Sequence, residues 1–150
     1  MKIELVAYTE EFFELSLKWL DDPEIRRLTN TPSFPKSVQK KWFDSLGTNP
    51  NYKIWGIDYD QIHVGVCGLK NISTTDCEYW GYIGEKTFWG QGVGSFVLNT
   101  LLDYAKSQEK SFVWLIVLNE NIRAINLYSK MGFKNVSILE NNLLKMQFEL

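Results

Sequence analysis

Trp89-Gly90-Gln91-Gly92-Val93-Gly94-Ser95 is the stretch on which the fold reading turns. It follows Asp76–Lys86, an aromatic-rich run that reads as a strand interrupted by Gly81 and Gly84, where glycine marks a bulge or a close approach to the backbone. It precedes an amphipathic helix with Val93, Phe96, Val97, Thr100, Leu101 and Tyr104 at helical spacing. Glycines on alternate positions let the chain turn sharply with its N–H groups pointing one way. A helix start adds unpaired N–H groups and roughly half a positive charge. Such a turn can cradle a diphosphate with main chain alone. It is not a P-loop, because no Gly-Lys-Ser/Thr tripeptide occurs. Nor is it the dinucleotide fingerprint, whose third glycine would stand where the chain has Ser95. Spacing alone leaves a structural turn and a phosphate cradle both open.

Outward from this turn, the pattern predicts short elements with short breaks. Lys2–Ala7 alternates as a strand, and Thr9 caps a helix carrying Phe13, Leu17 and Leu20 inward. Asp22-Pro23-Glu24 starts a second helix, Thr31–Pro35 is loop, and Lys36–Leu46 is a helix with Val38, Trp42 and Leu46 stacked on one face. Tyr52–Tyr59 and Gln61–Leu69 make a hairpin through Asp60. Phe112–Leu118 is a continuous apolar run, the mark of a strand covered on both faces. Asn121–Met131 is a helix ended by Gly132, and Phe133–Leu139 with Leu144–Leu150 close a hairpin through Asn141-Asn142. The order β-α-α-α-β-β-β-α-β-α-β-β predicts an α/β fold, a mixed sheet with helices on its faces.

Composition narrows the function. At 150 residues, 45% hydrophobic and 23% charged, the chain is expected to form a single domain, residues 1–150, with a full core. Sixteen Lys+Arg against 18 Asp+Glu leave a net charge of −2, which argues against a nucleic-acid partner. The start has no signal-peptide pattern and no window approaches ~18 apolar residues, so no membrane association and a cytoplasmic location are expected. Cys67 and Cys77 make neither a disulfide framework nor a metal site, and no metal is expected.

A second segment, Asn121-Ile122-Arg123-Ala124-Ile125-Asn126-Leu127-Tyr128-Ser129-Lys130-Met131-Gly132-Phe133, spaces Asn121, Ala124 and Tyr128 by three and four. One helical face thus carries an amide, a small residue and a phenol. Together with Trp89–Ser95 it resembles the GNAT superfamily of acetyl-CoA-dependent N-acetyltransferases. There the coenzyme loop reads Gln/Arg-x-x-Gly-x-Gly/Ala and a later block reads Asn-x-x-Ala-x-x-x-Tyr-x-x-x-Gly-Phe. Gly92 and Gly94 fall on the glycines, while Trp89 departs at the first position, as in a branch that includes amino-sugar and ribosomal-protein acetyltransferases. The resemblance implies a mostly antiparallel central sheet with helices on both faces, and acetyl-CoA as cosubstrate. It implies coenzyme contacts at Tyr82, Ile83, Trp89, Gly90, Gln91, Gly92, Val93, Gly94, Ser95, Asn121, Ala124 and Tyr128.

Acetyl transfer to an amine needs a neutral amine, donors for an oxyanion, and a proton for the leaving thiolate. An alkylamine of pKa about 10.4 is about 0.04% neutral at pH 7, a cost of ~4–5 kcal/mol, so a base is wanted. By resemblance Tyr128 is the acid towards the thiolate, and Glu78 the base acting through water. A main-chain N–H near Tyr82 or Ile83, on a bulged strand, is the oxyanion donor. His63, the only histidine, is the rival base. For the acceptor, Trp19–Arg26 and Trp42-Phe43 are similar to the branch acting on nucleotide-linked amino sugars. Trp42, Trp80 and Tyr82 are candidates to stack on a sugar or base, and Arg26, Arg27, Lys40 or Lys41 to meet a diphosphate. A small-molecule amine is therefore the expected partner, for a monomer or homodimer. A protein N-terminus is the alternative acceptor, and an acyl-CoA-binding module without transfer activity is the second alternative.

Overall fold

A computed structural model describes residues 2–150. The chain runs β1 (Ile3–Ala7), α1 (Glu10–Trp19), α2 (Pro23–Leu28), α3 (Lys36–Ser45), β2 (Lys53–Tyr59), β3 (Ile62–Lys70) and β4 (Asp76–Ile83). It continues through α4 (Val93–Ser107), β5 (Phe112–Leu118), α5 (Ile122–Met131), β6 (Lys134–Leu139) and β7 (Leu143–Glu149). The strands form one sheet in the order β1-β2-β3-β4-β5-β7-β6. Every pairing is antiparallel except β4 with β5, which the α4 crossover makes parallel. The element order and the mixed, mostly antiparallel sheet agree with the sequence expectation.

Local chemistry explains the turns. Asp60 and Gln61 (φ 49° and 69°) and Asn141 and Asn142 (φ 59° and 60°) place left-handed pairs between antiparallel strands, as tight hairpins require. Asp22 caps α2 by accepting from Glu24 N–H at 2.8 Å, with Pro23 in the first turn. Thr9 precedes α1 but makes no side-chain cap bond.

Two cores cover the two faces of the sheet. On one, α4 and α5 pack Val97, Leu98, Leu101, Ala124 and Tyr128 against Cys67, Leu69, Cys77, Tyr79 and Leu115. On the other, α1 and α2 bring Phe12, Trp19 and Ile25 against Val66, Trp80 and Tyr82. The buried face of α1 is therefore Phe12, Phe13, Ser16 and Trp19, whereas Leu17 and Leu20 are only partly covered. Glycine gaps in the sheet select that rotation: a Cβ on Gly56 would stand 2.3 Å from the Phe12 ring, and one on Gly84 would stand 2.1 Å from Trp19. Trp19 Nε1 then donates to Glu85 at 2.9 Å.

Three further expectations are corrected. α3 buries none of its residues; Val38 and Trp42 stay exposed because that face borders a cleft and not the core. β5 is covered fully on one face only, since Ile116 looks into the same cleft at 40% exposure. β4 keeps regular register from Glu78 to Ile83; the irregularities lie between β2 and β3, where Gly65 pairs Ile57 but His63 pairs Asp58, and in β6 between Asn135 and Ser137. Gly56→Ala is expected to cost about 1–3 kcal/mol by forcing Phe12 off the sheet. Gly47→Ala, with nothing near its Cβ, should stay within about 0.5 kcal/mol; urea unfolding of both checks this.

Candidate active site

β4 and β5 pair only at Asp76–Phe112, Cys77–Val113 and Glu78–Trp114, and then separate. Their divergence opens a cleft of about 1140 Å³ with walls from β4, the β4–α4 turn, β5, α5 and the α1–α3 side. Ligand pockets commonly span about 300–1,000 Å³, so this one lies above that range.

The ladder decides which backbone groups face the cleft. Gly84 N–H donates to Val64 O at 2.8 Å, and the two-residue alternation of an antiparallel pair then directs the polar groups of Tyr82 and Trp80 onto β3. Those of Gly81 and Ile83 point to the open side. Of the two positions expected to offer a main-chain donor, the alternation turns the Ile83 N–H to the open side and the Tyr82 N–H onto β3. The Ile83 carbonyl accepts from Trp89 Nε1 at 2.9 Å, so Trp89 satisfies a group that the departing β5 leaves unpaired. Tyr82 lines the cleft with its ring edge-on to Trp19 at 6.3 Å.

At the head of α4, Gly90 (φ 77°) and Gly92 (φ 81°) take left-handed conformations with open space where a Cβ would stand. Gly92 occupies the N-cap position without a side-chain cap, and Phe96 N–H makes the first intrahelical bond, to Gly92 O at 3.2 Å. The N–H groups of Val93, Gly94 and Ser95 are left unpaired on the wall of the cleft. The Val93 side chain is buried in the core, Gln91 is exposed and off the wall, and Gly94 allows α5 close, with Leu127 3.1 Å from where its Cβ would be.

Opposite, Asn121 caps α5 by accepting from Ala124 N–H at 3.3 Å, which leaves its Nδ2 to donate elsewhere. Asn121, Ala124 and Tyr128 all line the cleft. Tyr128 stands edge-on to Tyr79 (6.3 Å) and near Phe133 (5.8 Å). Tyr128 is half-buried on the wall of the cleft, and burial pushes its phenol up to about 12. It therefore holds its proton throughout the neutral range.

The α1–α3 side of the cleft is aromatic. Tyr52 joins the two tryptophans expected there, standing 6.0 Å from Trp42 and 6.1 Å from Trp80, and Tyr8 stands 6.2 Å from Trp42. Sequence reasoning singled out neither tyrosine, because strand pairing and helix packing, not spacing, bring them to the tryptophans. Burial raises Tyr8 to about 12 despite its bond to Ser16, and raises Tyr52 further, with the charge of Glu78 contributing. Arg26 lines the cleft but donates to Leu20 O (2.9 Å) and Asp21 O (3.2 Å), and Arg27 pairs with Glu120 at 3.4 Å. Lys40 is held by Glu10 and Asp44, and neither it nor Lys41 reaches the wall.

Glu78 sits at the foot of the divergence, buried, accepting from Asn71 Nδ2 at 2.8 Å with Lys70 Nζ at 3.9 Å. It shares the Trp80–Tyr82 face of β4 but lies behind the cleft wall. His63 is outside the cleft altogether, bonded to Asp58 at the bulge and packed at a tilt against Phe12, ring centroids 4.0 Å apart. Cys67 and Cys77 are core residues whose thiols burial pushes up, Cys77 to about 11. Among the described residues no three His, Cys, Asp or Glu side chains gather to hold a metal ion, and no helix is long and apolar enough to cross a membrane.

Residues 15–133 match the model of the acetyltransferase (GNAT) family. The chain belongs to the GNAT family. The chain is 38% identical over 136 residues to the uncharacterised N-acetyltransferase YobR of Bacillus subtilis, and 25% identical over 136 residues to an uncharacterised protein of Methanocaldococcus jannaschii. The match covers 89% of this chain in both cases but only 55% and 28% of those proteins, so the chain spans about half the length of one and about a quarter of the other. A crystallised domain from Methanocaldococcus jannaschii superposes with a TM-score of 0.88 at 22% identity, over 99% of each chain. The Campylobacter jejuni N-acetyltransferase PseH, in complex with acetyl coenzyme A, superposes at 0.77 and 20% identity, again over 99% of each chain. The GNAT fold is thus shared across the whole described sheet.

Asn121→Ala is expected to cost about 1 kcal/mol through the lost cap of α5, read as a lower urea midpoint with unchanged slope.

Proposed function

We propose that this GNAT protein moves the acetyl group of acetyl-CoA directly to a primary amine on a small molecule, and that the acceptor is a nucleotide-linked amino sugar. The observation that carries the reading is the set of unpaired N–H groups at Val93, Gly94 and Ser95, facing Asn121, Ala124 and Tyr128 across the cleft. These donors fit a pyrophosphate, and Gly90 and Gly92 leave the approach to it clear. Acetyl-CoA supplies the activated acetyl as a thioester. The small Ala124 leaves width for a thin arm, and Asn121 Nδ2 is placed to donate to an amide of that arm. Ile83 N–H, exposed by the splay, is oriented to stabilise the oxyanion. Tyr128, kept protonated by burial, gives its proton to the leaving sulfur.

On the acceptor side, Trp42, Tyr52 and Trp80 offer faces for a sugar or base. Arg26 and Arg27 line the α2 end but would meet a phosphate only by exchanging their bonds to Leu20 O, Asp21 O and Glu120 for it. Of the two carboxylates on the wall among the described residues, Glu24 is committed to Lys86 at 2.6 Å, and Asp21 is the one left to meet a cationic acceptor. Glu78 lies behind the wall, so a bridging water is the route by which it takes the amine proton. Binding both substrates at once lets positioning lower the barrier without a covalent enzyme intermediate.

Release of free thiol from acetyl-CoA, measured against amino sugars, nucleotide-linked amino sugars, polyamines and peptides, tests the reading. Turnover is expected with the nucleotide-linked amino sugars, and preference for peptide N-termini would overturn the acceptor assignment. Tyr128→Phe is expected to lower kcat by about 10²-fold or more while the KM for acetyl-CoA changes little. An unchanged kcat would remove the acid role.

A further inference from the structure

The turn that holds the proposed pyrophosphate contains no cation: Trp89 to Ser95 has neither Lys nor Arg. Most positive side chains around the cleft are already committed. Arg26 bonds two carbonyls, Arg27 pairs with Glu120, Lys36 with Glu14, Lys70 with Glu78, and Lys86 with both Asp22 and Glu24. Arg123 is different. It rises from the first turn of α5 and lays its guanidinium over the face of Trp89, with Cζ 4.9 Å from the ring centroid. Among the described residues it makes no ion pair and no hydrogen bond, so its fork of N–H donors has only an aromatic face against it. The ring beneath is itself fixed, because Trp89 Nε1 is bonded to Ile83 O. Arg123 and Trp89 both line the cleft with Gly90, Gly92, Gly94 and Ser95.

We propose that Arg123 is the charged member of the coenzyme site, a guanidinium stacked on Trp89 and held beside the α4 amides to bind the pyrophosphate. This rests on the coenzyme reading above and deepens it. The ring contact holds the guanidinium at this wall while no protein acceptor among the described residues takes up its N–H donors, which leaves them for bidentate donation to phosphate oxygens. Trp89 thus serves the phosphates without touching them: its edge mends the strand end, and its face orients the cation. Charge comes from the β5–α5 arm and amides from the β4–α4 arm, so a bound pyrophosphate would link the two arms of the cleft.

Calorimetry with CoA, 3′-dephospho-CoA and pantetheine tests this. Arg123→Gln is expected to raise the Kd for CoA and dephospho-CoA alike, by about tenfold or more, and to leave pantetheine unchanged. Trp89→Leu should do the same, with the double variant little worse than either single one, whereas Trp89→Phe, which keeps a ring face, should retain most of the affinity. Unchanged CoA affinity in Arg123→Gln would overturn the assignment. A loss confined to CoA would move the contact to the 3′-phosphate and overturn the pyrophosphate role, and an equal loss for pantetheine would make Arg123 merely structural. If the wild-type chain binds no CoA, the coenzyme reading itself fails, a result distinct from all of these.

Discussion

The early parting of β4 and β5 is the constraint on which the rest of the structure depends. Three residue pairs hold the two strands together at their foot, and beyond Glu78 and Trp114 no ladder joins them. Each strand stays anchored on its other side, β4 to β3 through Ile83 and β5 to β7 through Leu118, so the gap opens without unravelling the sheet. A gap in a sheet leaves polar backbone groups in need of partners. The Ile83 carbonyl is answered by the Trp89 indole, and the Ile83 N–H is turned to the open side of the strand. The same gap exposes Ile116 and explains why an otherwise core-like strand is half uncovered.

The site draws on both halves of this divided sheet. From the β4 side come a cap without a side chain and two left-handed glycines, which make amides accessible. From the β5 side come Asn121, Ala124 and Tyr128 on one helical face, with Arg123 reaching over to Trp89. Neither half is a site alone. The α1–α3 region adds a third wall of aromatic rings, in which Tyr52 connects Trp42 to Trp80. That wall is loosely built: α3 is anchored chiefly by Phe43 stacked on Phe13 at 4.8 Å and by surface ion pairs, and most of its apolar face looks into the cleft.

What could be read from the sequence was what local chemistry determines. Glycines needing positive φ at 90, 92 and 132, the Asp22 cap and the Asn141-Asn142 turn each announce themselves within a few residues. The two motif blocks lie on such local signals, and the family likeness followed from them. The misses are positions where a distant partner decides. Periodicity could not choose between Leu17 and Trp19, because Gly84, far along the chain, makes the space for the indole. Apolar spacing in α3 and β5 cannot distinguish a core from a wall around ligands. Glycines in β4 suggested a bulge that register places on the neighbouring strand pair. Tyr8, Tyr52 and the Arg123–Trp89 stack depend on tertiary packing and carry no motif of their own.

The central claim is that backbone amides at the β4–α4 turn hold the coenzyme phosphates, and amide chemical shifts report on it directly. In a ¹⁵N-resolved titration with CoA, the largest changes are expected at Gly92, Val93, Gly94 and Ser95, with the Ile83 amide following as the arm enters the cleft. Saturable binding that leaves those amides unmoved, or no binding at all, would contradict the account.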